Sequence, residues 1–316
     1  MLSKATRILV VMGGWSPERE VSLASGGAVL GCLTAAGYEA RGYDLPAEGS
    51  RRRAVAGLLA AIEEHRTDIV RLALHGPFGE DGTIQGLLDL AAVPYTGSGV
   101  LASALGLDKV LAKQVMVAAR ITAPRHVLLP RGVPPPPAPP IALPVIVKPR
   151  ALGSSLGVSL VERGDEFAPA VERASAYGQD VMVEAWVAGH DIQACVLDGE
   201  ILPLIEVVPR GKIYDFEAKY SPGGAEHRVP APLPKKQYEA AQKMGLAAYR
   251  ALGCAGAARV ELIAEDTGTL YALEVNTVPG MTPTSLLPEA AREAGMSFLD
   301  LLERELTGAL RRGAAA

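Results

Sequence analysis

The segment RGVPPPPAPPIALP, from Arg131 to Pro144, divides the chain into two halves of different pattern. Proline lacks an amide hydrogen and has a fixed φ, so such a run enters neither a helix interior nor a central strand. It is a connector. Ahead of it, Arg7 to Met12 is a short apolar run ending in Gly13 and Gly14, the pattern of a buried parallel strand. Ser16 reads as an N-cap, Pro17 as the first helical position and Glu18 as a first-turn acid; Val21, Ala24, Ala28 and Cys32 then repeat at helical spacing. A helix from Ala54 to His65 precedes a strand from Ile69 to Leu74. Strand, helix, helix, strand predicts an open α/β sheet whose ligands sit at the carboxyl ends of its strands, beside Gly13–Gly14 and His75–Gly76.

Behind the connector the pattern becomes α+β with antiparallel sheets. Leu143 to Lys148 and Gly157 to Val161 read as strands around a Gly/Ser loop, and Val181 to Val187 as another. Ala194 to Leu197, Asp198-Gly199 and Ile201 to Val207 predict a hairpin, because Asp-Gly suits a type I′ turn. A helix follows from Lys236 to Leu252, then a second hairpin, Ala258 to Ala264 and Thr269 to Thr277. No internal repeat is visible.

With 49% hydrophobic residues and a net charge of −4, the 316 residues hold ample core material, which excludes a disordered chain. The acidic balance argues against a nucleic-acid partner. No apolar run approaches the roughly 20 residues that span a bilayer. The apolar run at Ile8 to Met12 is too short for a signal peptide. Cys32, Cys195 and Cys254 are isolated, without the spacing of a disulfide framework or zinc site. A soluble cytoplasmic protein is expected.

Three segments carry chemistry. In the last hairpin, side-chain alternation places Arg259 and Glu261 on one face of their strand, and Glu274 and Asn276 on one face of theirs. Pairing would gather two carboxylates, an amide and a guanidinium. Oxygen donors without soft ligands suit Mg²⁺ or Mn²⁺, and a solvated face with a cross-strand ion pair fits the same pattern. Lys148, followed by GSSLG at 153–157, can approach a polyphosphate through backbone amides, or form a plain hairpin loop. The glycine-dense loop HGPFGEDGTIQG at 75–86 offers His75 to a small polar ligand or to the backbone, and Asp81 as a helix cap. Gly97 to Ala102 formally matches G-x-G-x-x-A, but no acid follows near position 120, which disfavours nicotinamide binding.

Together these segments resemble the D-alanine–D-alanine ligase family of the ATP-grasp superfamily. The resemblance rests on GGWSPEREVS at 13–22, the loop at 75–86, YTGSG at 95–99, Asp108-Lys109, Lys148-Pro149, GSSLG, YDFEAKY at 214–220 and EVNTVPGMT at 274–282, in that order. It implies an N-terminal open parallel-sheet lobe (1–100), a small central ATP-grasp lobe (101–187) and a C-terminal antiparallel-sheet lobe with metal site and lid (188–316). It further implies ATP-dependent joining of two D-alanines through a D-alanyl phosphate for peptidoglycan precursors, and a homodimer.

By motif position, the resemblance assigns Lys109, Lys148, Ser155 and Lys219 to the ATP phosphates, and Glu184, Trp186, Val187 and Asp191 to adenine and ribose. Glu261, Glu274 and Asn276 would hold two Mg²⁺ ions. Arg259 and the amide of Gly280 would stabilise the oxyanion. Glu18, with His75 nearby, would take the ammonium of the first D-alanine, and Ser285 and Leu286 the carboxylate of the second. Ser154 and Tyr220 would hydrogen-bond to Glu18 and close the lid. The chain departs from the family pattern at Glu261, where Asp is usual, at Asp191, where Glu is common, and at Leu156, where Val is usual. Other readings are a different second substrate, D-serine or D-lactate, and an ATP-binding regulator without turnover; the Tyr at position 220 resembles the dipeptide-forming type.

Overall fold

A computed structural model describes residues 2–221 and 223–313. The N-terminal lobe contains β1 (Arg7–Gly13), α1 (Arg19–Ala35), β2 (Glu39–Leu45), α2 (Arg51–Glu64), β3 (Ile69–Leu72) and α3 (Thr83–Leu90). Its parallel sheet has the order β2-β1-β3. The apolar run of β1 is buried because helices and a second lobe cover its two faces. The strand β2 escapes sequence reading: it is an edge strand, mostly exposed, with charges at Glu39, Arg41 and Asp44. The N-cap expectation is corrected by two residues. Helix α1 starts at Arg19 with Glu18 at the N-cap, while the Ser16 hydroxyl accepts the Glu18 amide at 3.1 Å in the turn before it.

Helices α4 (Val100–Leu107) and α5 (Lys109–Ala118) follow, the second capped by Asp108, which accepts from the amides of Val110 and Leu111. Next come β4 (His126–Leu129), β5 (Val145–Pro149), β6 (Ser159–Val161), α6 (Phe167–Ser175) and β7 (Val181–Ala185). They form an antiparallel sheet of order β4-β7-β5-β6 over a small core of Val145, Val147, Phe167 and Val183. The proline-rich segment crosses between β4 and β5 without regular structure.

The remaining elements are β8 (His190–Leu197), β9 (Glu200–Ile201), β10 (Ile205–Pro209), α7 (Phe216–Tyr220), β11 (Ala225–Arg228), α8 (Lys235–Ala251), β12 (Ala257–Ala264), β13 (Leu270–Asn276), α9 (Leu286–Glu293) and α10 (Phe298–Gly313). Their sheet runs β11-β10-β8-β12-β13, with β9 beside β8. Asp198 and Gly199 both have positive φ, 49° and 81°, as a type I′ turn requires. The expected strand from Ile201 to Val207 is broken into β9 and β10 around Pro203, which cannot donate to a ladder. One face of this sheet packs on α8 and α5 through Ala194, Val260, Ala248 and Met116. The other packs on α9 and α10, which also meet β1 and α1: Ile8, Val29 and Leu33 share one core with Leu197, Leu287, Leu301 and Leu306. A buried ion pair, Arg71 to Glu305 at 3.1 Å, fastens β3 to α10.

Candidate active site

A cavity of about 540 Å³ lies between the start of α1, the loop after β3 and the loop after β13. Glu18 enters it from the N-cap of α1. Its Oε1 accepts the Ser154 hydroxyl at 2.5 Å, and its buried Oε2 has no hydrogen-bond partner among the described residues. Two glycines make the room: a Cβ on Gly153 would lie 2.6 Å from Oε1, and one on Gly76 would collide with Ser16 and Glu18. Burial, then the charge of Glu80, pushes the Glu18 carboxyl above its usual range. His75 is buried between Glu80 (Nδ1 to Oε1, 3.0 Å) and Ser25 (Nε2 to Oγ, 3.2 Å). The Ser25 hydroxyl also accepts the Met281 amide at 3.3 Å, tying α1 to the loop after β13. Across the cavity stand Gly280, Ser285 and Leu286 at the start of α9, where the Ser285 Oγ accepts the Thr282 amide at 3.0 Å.

A second cavity, about 470 Å³, lies between the central and C-terminal sheets. Lys148 on β5 reaches Glu184 Oε2 at 2.6 Å, and Lys113 on α5 reaches Oε1 of the same carboxylate at 2.5 Å. Burial works against the Glu184 charge, but the two lysines hold its pKa below the usual range. Burial lowers the pKa of Lys113, and Glu184 opposes that loss. Lys109 bonds to Glu274 at 3.2 Å and to the Leu152 carbonyl at 2.7 Å. Desolvation works against the charge of Glu274, which is half-buried, yet Lys109, Lys148, Lys219 and Arg259 keep it ionised far below the ordinary range. Ser155, Trp186, Val187 and Asp191 also line this space. Asp191 accepts from Gln193 at 2.6 Å, and burial with the charge of Glu261 pushes its carboxyl up to about 7.

The two cavities meet over one sheet face. Arg259 pairs with Asn276 in register, and Glu261 with Glu274. The first rung faces the first cavity and the second rung faces the other. Arg259 bonds Glu261 at 2.6 Å, and this carboxylate chiefly, against burial, raises the guanidinium pKa. Lys219 stands 3.8 Å from Glu261. The segment from β10 to β11 covers both spaces: Tyr214 lines each, Ser155 donates to the Tyr214 carbonyl at 2.9 Å, and Lys212 pairs with Glu162 at 2.8 Å. The expected Tyr220 bond to Glu18 falls on a side chain outside the described ones.

Family models for the D-ala D-ala ligase N-terminus and C-terminus match residues 46–98 and 138–307. The D-alanine–D-alanine ligase of Geotalea uraniireducens is 47% identical over 97% of this chain and 96% of its own length. The chain belongs to the D-alanine–D-alanine ligase family. The ligase of Geobacter sulfurreducens is 46% identical over 97% of this chain and 95% of its own. Among solved structures, the Bacillus anthracis ligase complexed with ATP superposes with a TM-score of 0.84 at 31% identity, covering 98% of this chain and 99% of that one.

Seen as a member of this ligase family, the chain also places groups that sequence reading did not single out. Ser25 and Glu80 hold His75; Lys113 holds Glu184; Glu206 is buried in the second cavity against His190 and against Arg228 at 3.2 Å. Lys113 carries one readable signal, its position four residues after Lys109 on the same helix face. Glu184, expected beside adenine and ribose, lines the cavity with its carboxylate committed to two lysines. Glu261 and Glu274, with the Asn276 amide oxygen that accepts from Val278 at 2.9 Å, are hard oxygen donors. Among the described residues no group of three or more His, Cys, Asp or Glu could hold a metal ion unaided. A set of two carboxylates and one amide fits a Mg²⁺ ion that takes its remaining ligands from phosphate oxygens and water.

Proposed function

We propose that this chain performs the family's ATP-dependent ligation of two D-alanines, with the first cavity taking the amino acids and the second the nucleotide. The observation that supports this reading most is the shared face of β12 and β13, which brings an oxyanion-type donor, Arg259, to one rung and two carboxylates to the next. A carboxylate held over Arg259 can reach a γ-phosphate held over Glu261 and Glu274.

Glu18 receives the first ammonium on its unpartnered Oε2, and Ser154 orients it. The carboxylate of that D-alanine attacks the γ-phosphorus, ADP leaves, and an acyl phosphate forms. The amine of the second D-alanine, anchored through Ser285 and Leu286, attacks the acyl carbon, losing a proton. Arg259 and the Gly280 amide hold the developing oxyanion, and inorganic phosphate departs as the amide forms. Lys109, Lys148 and Lys219 neutralise phosphate, while Ser155, Trp186, Val187, Glu184 and Asp191 enclose the rest of the nucleotide. Mg²⁺ bound by Glu261, Glu274 and Asn276 would supply charge neutralisation on the transferred phosphoryl group. The segment from β10 to β11, with Tyr220, excludes water from the acyl phosphate.

The three-lobe division at about residues 100 and 187 belongs to the same reading, as do a homodimer and a cytoplasmic location, where ATP is available. Among the described residues no helix is long and apolar enough to cross a membrane.

Phosphate release with ATP and Mg²⁺, with and without D-alanine, tests the function. D-alanine-dependent phosphate matched by D-alanyl-D-alanine in the mass spectrum is expected. ATP binding without turnover, in Mg²⁺ or Mn²⁺, would sink it; a preference for D-serine or D-lactate as acceptor would replace the second substrate. Ser285→Ala is expected to raise the KM of one of the two D-alanines on the order of tenfold, the loss of a hydrogen bond to a charged group, while the KM for ATP stays unchanged.

A further inference from the structure

We infer that Lys113, which touches neither cavity, is a positioning residue that leaves the charge of Lys148 free for the nucleotide's phosphates by occupying half of the Glu184 carboxylate. The inference rests on the nucleotide reading of the second cavity. Lys113 is fully buried, and it is not among the residues that line that cavity. It reaches Glu184 Oε1 at 2.5 Å, while Lys148, which does line the cavity, reaches Oε2 at 2.6 Å.

Two ammonium groups on one carboxylate leave one positive charge in excess. Lys113 is sealed away from the cavity, so only Lys148 can present that charge to a ligand. Without Lys113, Glu184 and Lys148 would form a neutral pair, and a phosphate would compete with a buried carboxylate for its own lysine. A buried ion pair gives little net stability against an apolar substitute, so stability alone does not account for a fully desolvated lysine here. The same helix face shows a related arrangement one turn earlier. Lys109 meets the carboxylate of Glu274 and the carbonyl of Leu152, so both lysines of α5 bridge the two sides of the cleft. Among the described residues Lys113 makes one further hydrogen bond, a long one of 3.4 Å to the carbonyl of Ala272, so Glu184 is its principal partner.

The test is a titration of Lys113→Met and wild-type protein with Mg-ATP and, separately, with adenosine, in the absence of D-alanine. Loss of one net charge near the phosphates is expected to weaken ATP on the order of tenfold or more, while adenosine, which carries no phosphate, binds within about threefold of wild type. A merely structural lysine would weaken both probes in parallel, and that result overturns the inference, as does unchanged ATP affinity. The double variant Lys113→Met/Glu184→Gln removes both charges, leaves no unpaired buried ion and keeps Lys148 as the excess cation. Because Glu184 itself lines the nucleotide cavity, this variant is read by the ratio of its affinities for ATP and adenosine, which is expected to return to within about threefold of wild type whatever both probes lose together. If that ratio stays as low as in Lys113→Met, or if Lys113→Met does not fold and the double variant has lost ATP while keeping adenosine, the charge account is wrong. Wild-type protein that bound neither probe would overturn the nucleotide reading itself, and this inference with it.

Discussion

Arg259→Ala lowers kcat on the order of 10²- to 10³-fold while the affinity for Mg-ATP stays within about threefold, because the lost donor acts on charge that develops only in the transition state. Arg259 is held at its post from both sides. Its strand β12 is central in the sheet, between β8 and β13, and its guanidinium is aligned by Glu261 at 2.6 Å. Such a donor is oriented before substrate arrives, so no reorganisation is needed as the oxyanion forms. Guanidinium added to the Arg259→Ala enzyme is expected to restore part of the lost rate, a rescue that repair of folding would not produce. Steady-state phosphate release with and without guanidinium checks both statements. A kcat within threefold of wild type would remove Arg259 from the mechanism.

Glu18→Gln separates stability from activity. Burial and the neighbouring charge of Glu80 raise the folded-state pKa of Glu18 above the ordinary glutamate value. A carboxyl with a raised folded pKa contributes stability that is fully present below the unfolded pKa and is lost as pH rises through the folded value. In ligand-free protein at neutral and alkaline pH the ionised Glu18 is therefore a burden, which the amide removes. The melting temperature of Glu18→Gln is expected to rise by roughly 2–4 °C at pH 8 and by less at pH 5. The same change removes the acceptor for an ammonium, so kcat/KM for D-alanine falls on the order of 10²-fold. Thermal melts at the two pH values and D-alanine kinetics check the pair; a melting temperature that falls at pH 8 would show that the carboxylate is stabilised rather than strained.

What could be read from the sequence follows the strength of the local signal. The β12–β13 hairpin was legible from alternation over both strands and a Glu-Asp-Thr-Gly turn, but the rungs Arg259–Asn276 and Glu261–Glu274 also depend on a one-residue register shift between Glu261 and Leu262, which alternation does not reveal. The Asp198-Gly199 turn was legible because Asp-Gly suits two successive residues of positive φ. By contrast, β2 has no buried alternation to reveal it, and the apolar stretch after Gly199 conceals the break at Pro203. At the site, Glu18 and Arg259 stand in motifs whose order carries them. Lys113 does not: on a helix a lysine ordinarily reads as a solvated face, and only the packing of α5 between two sheets reveals its burial. Ser25 likewise looks like any small helical residue until the fold sets it beside His75.

The core that joins β1 and α1 to α9 and α10 also sets an order of events during synthesis. The apolar face made by Ile8, Val29 and Leu33 finds partners at Leu287, Leu301 and Leu306, about the last tenth of the chain. A nascent chain extended to the end of the N-terminal lobe has all three of its strands and α1 in hand, yet the apolar flank they share still lacks the cover that α9 and α10 supply. Arg71, at the same stage, still lacks Glu305. Completion of the N-terminal lobe therefore waits until α10 has left the ribosome.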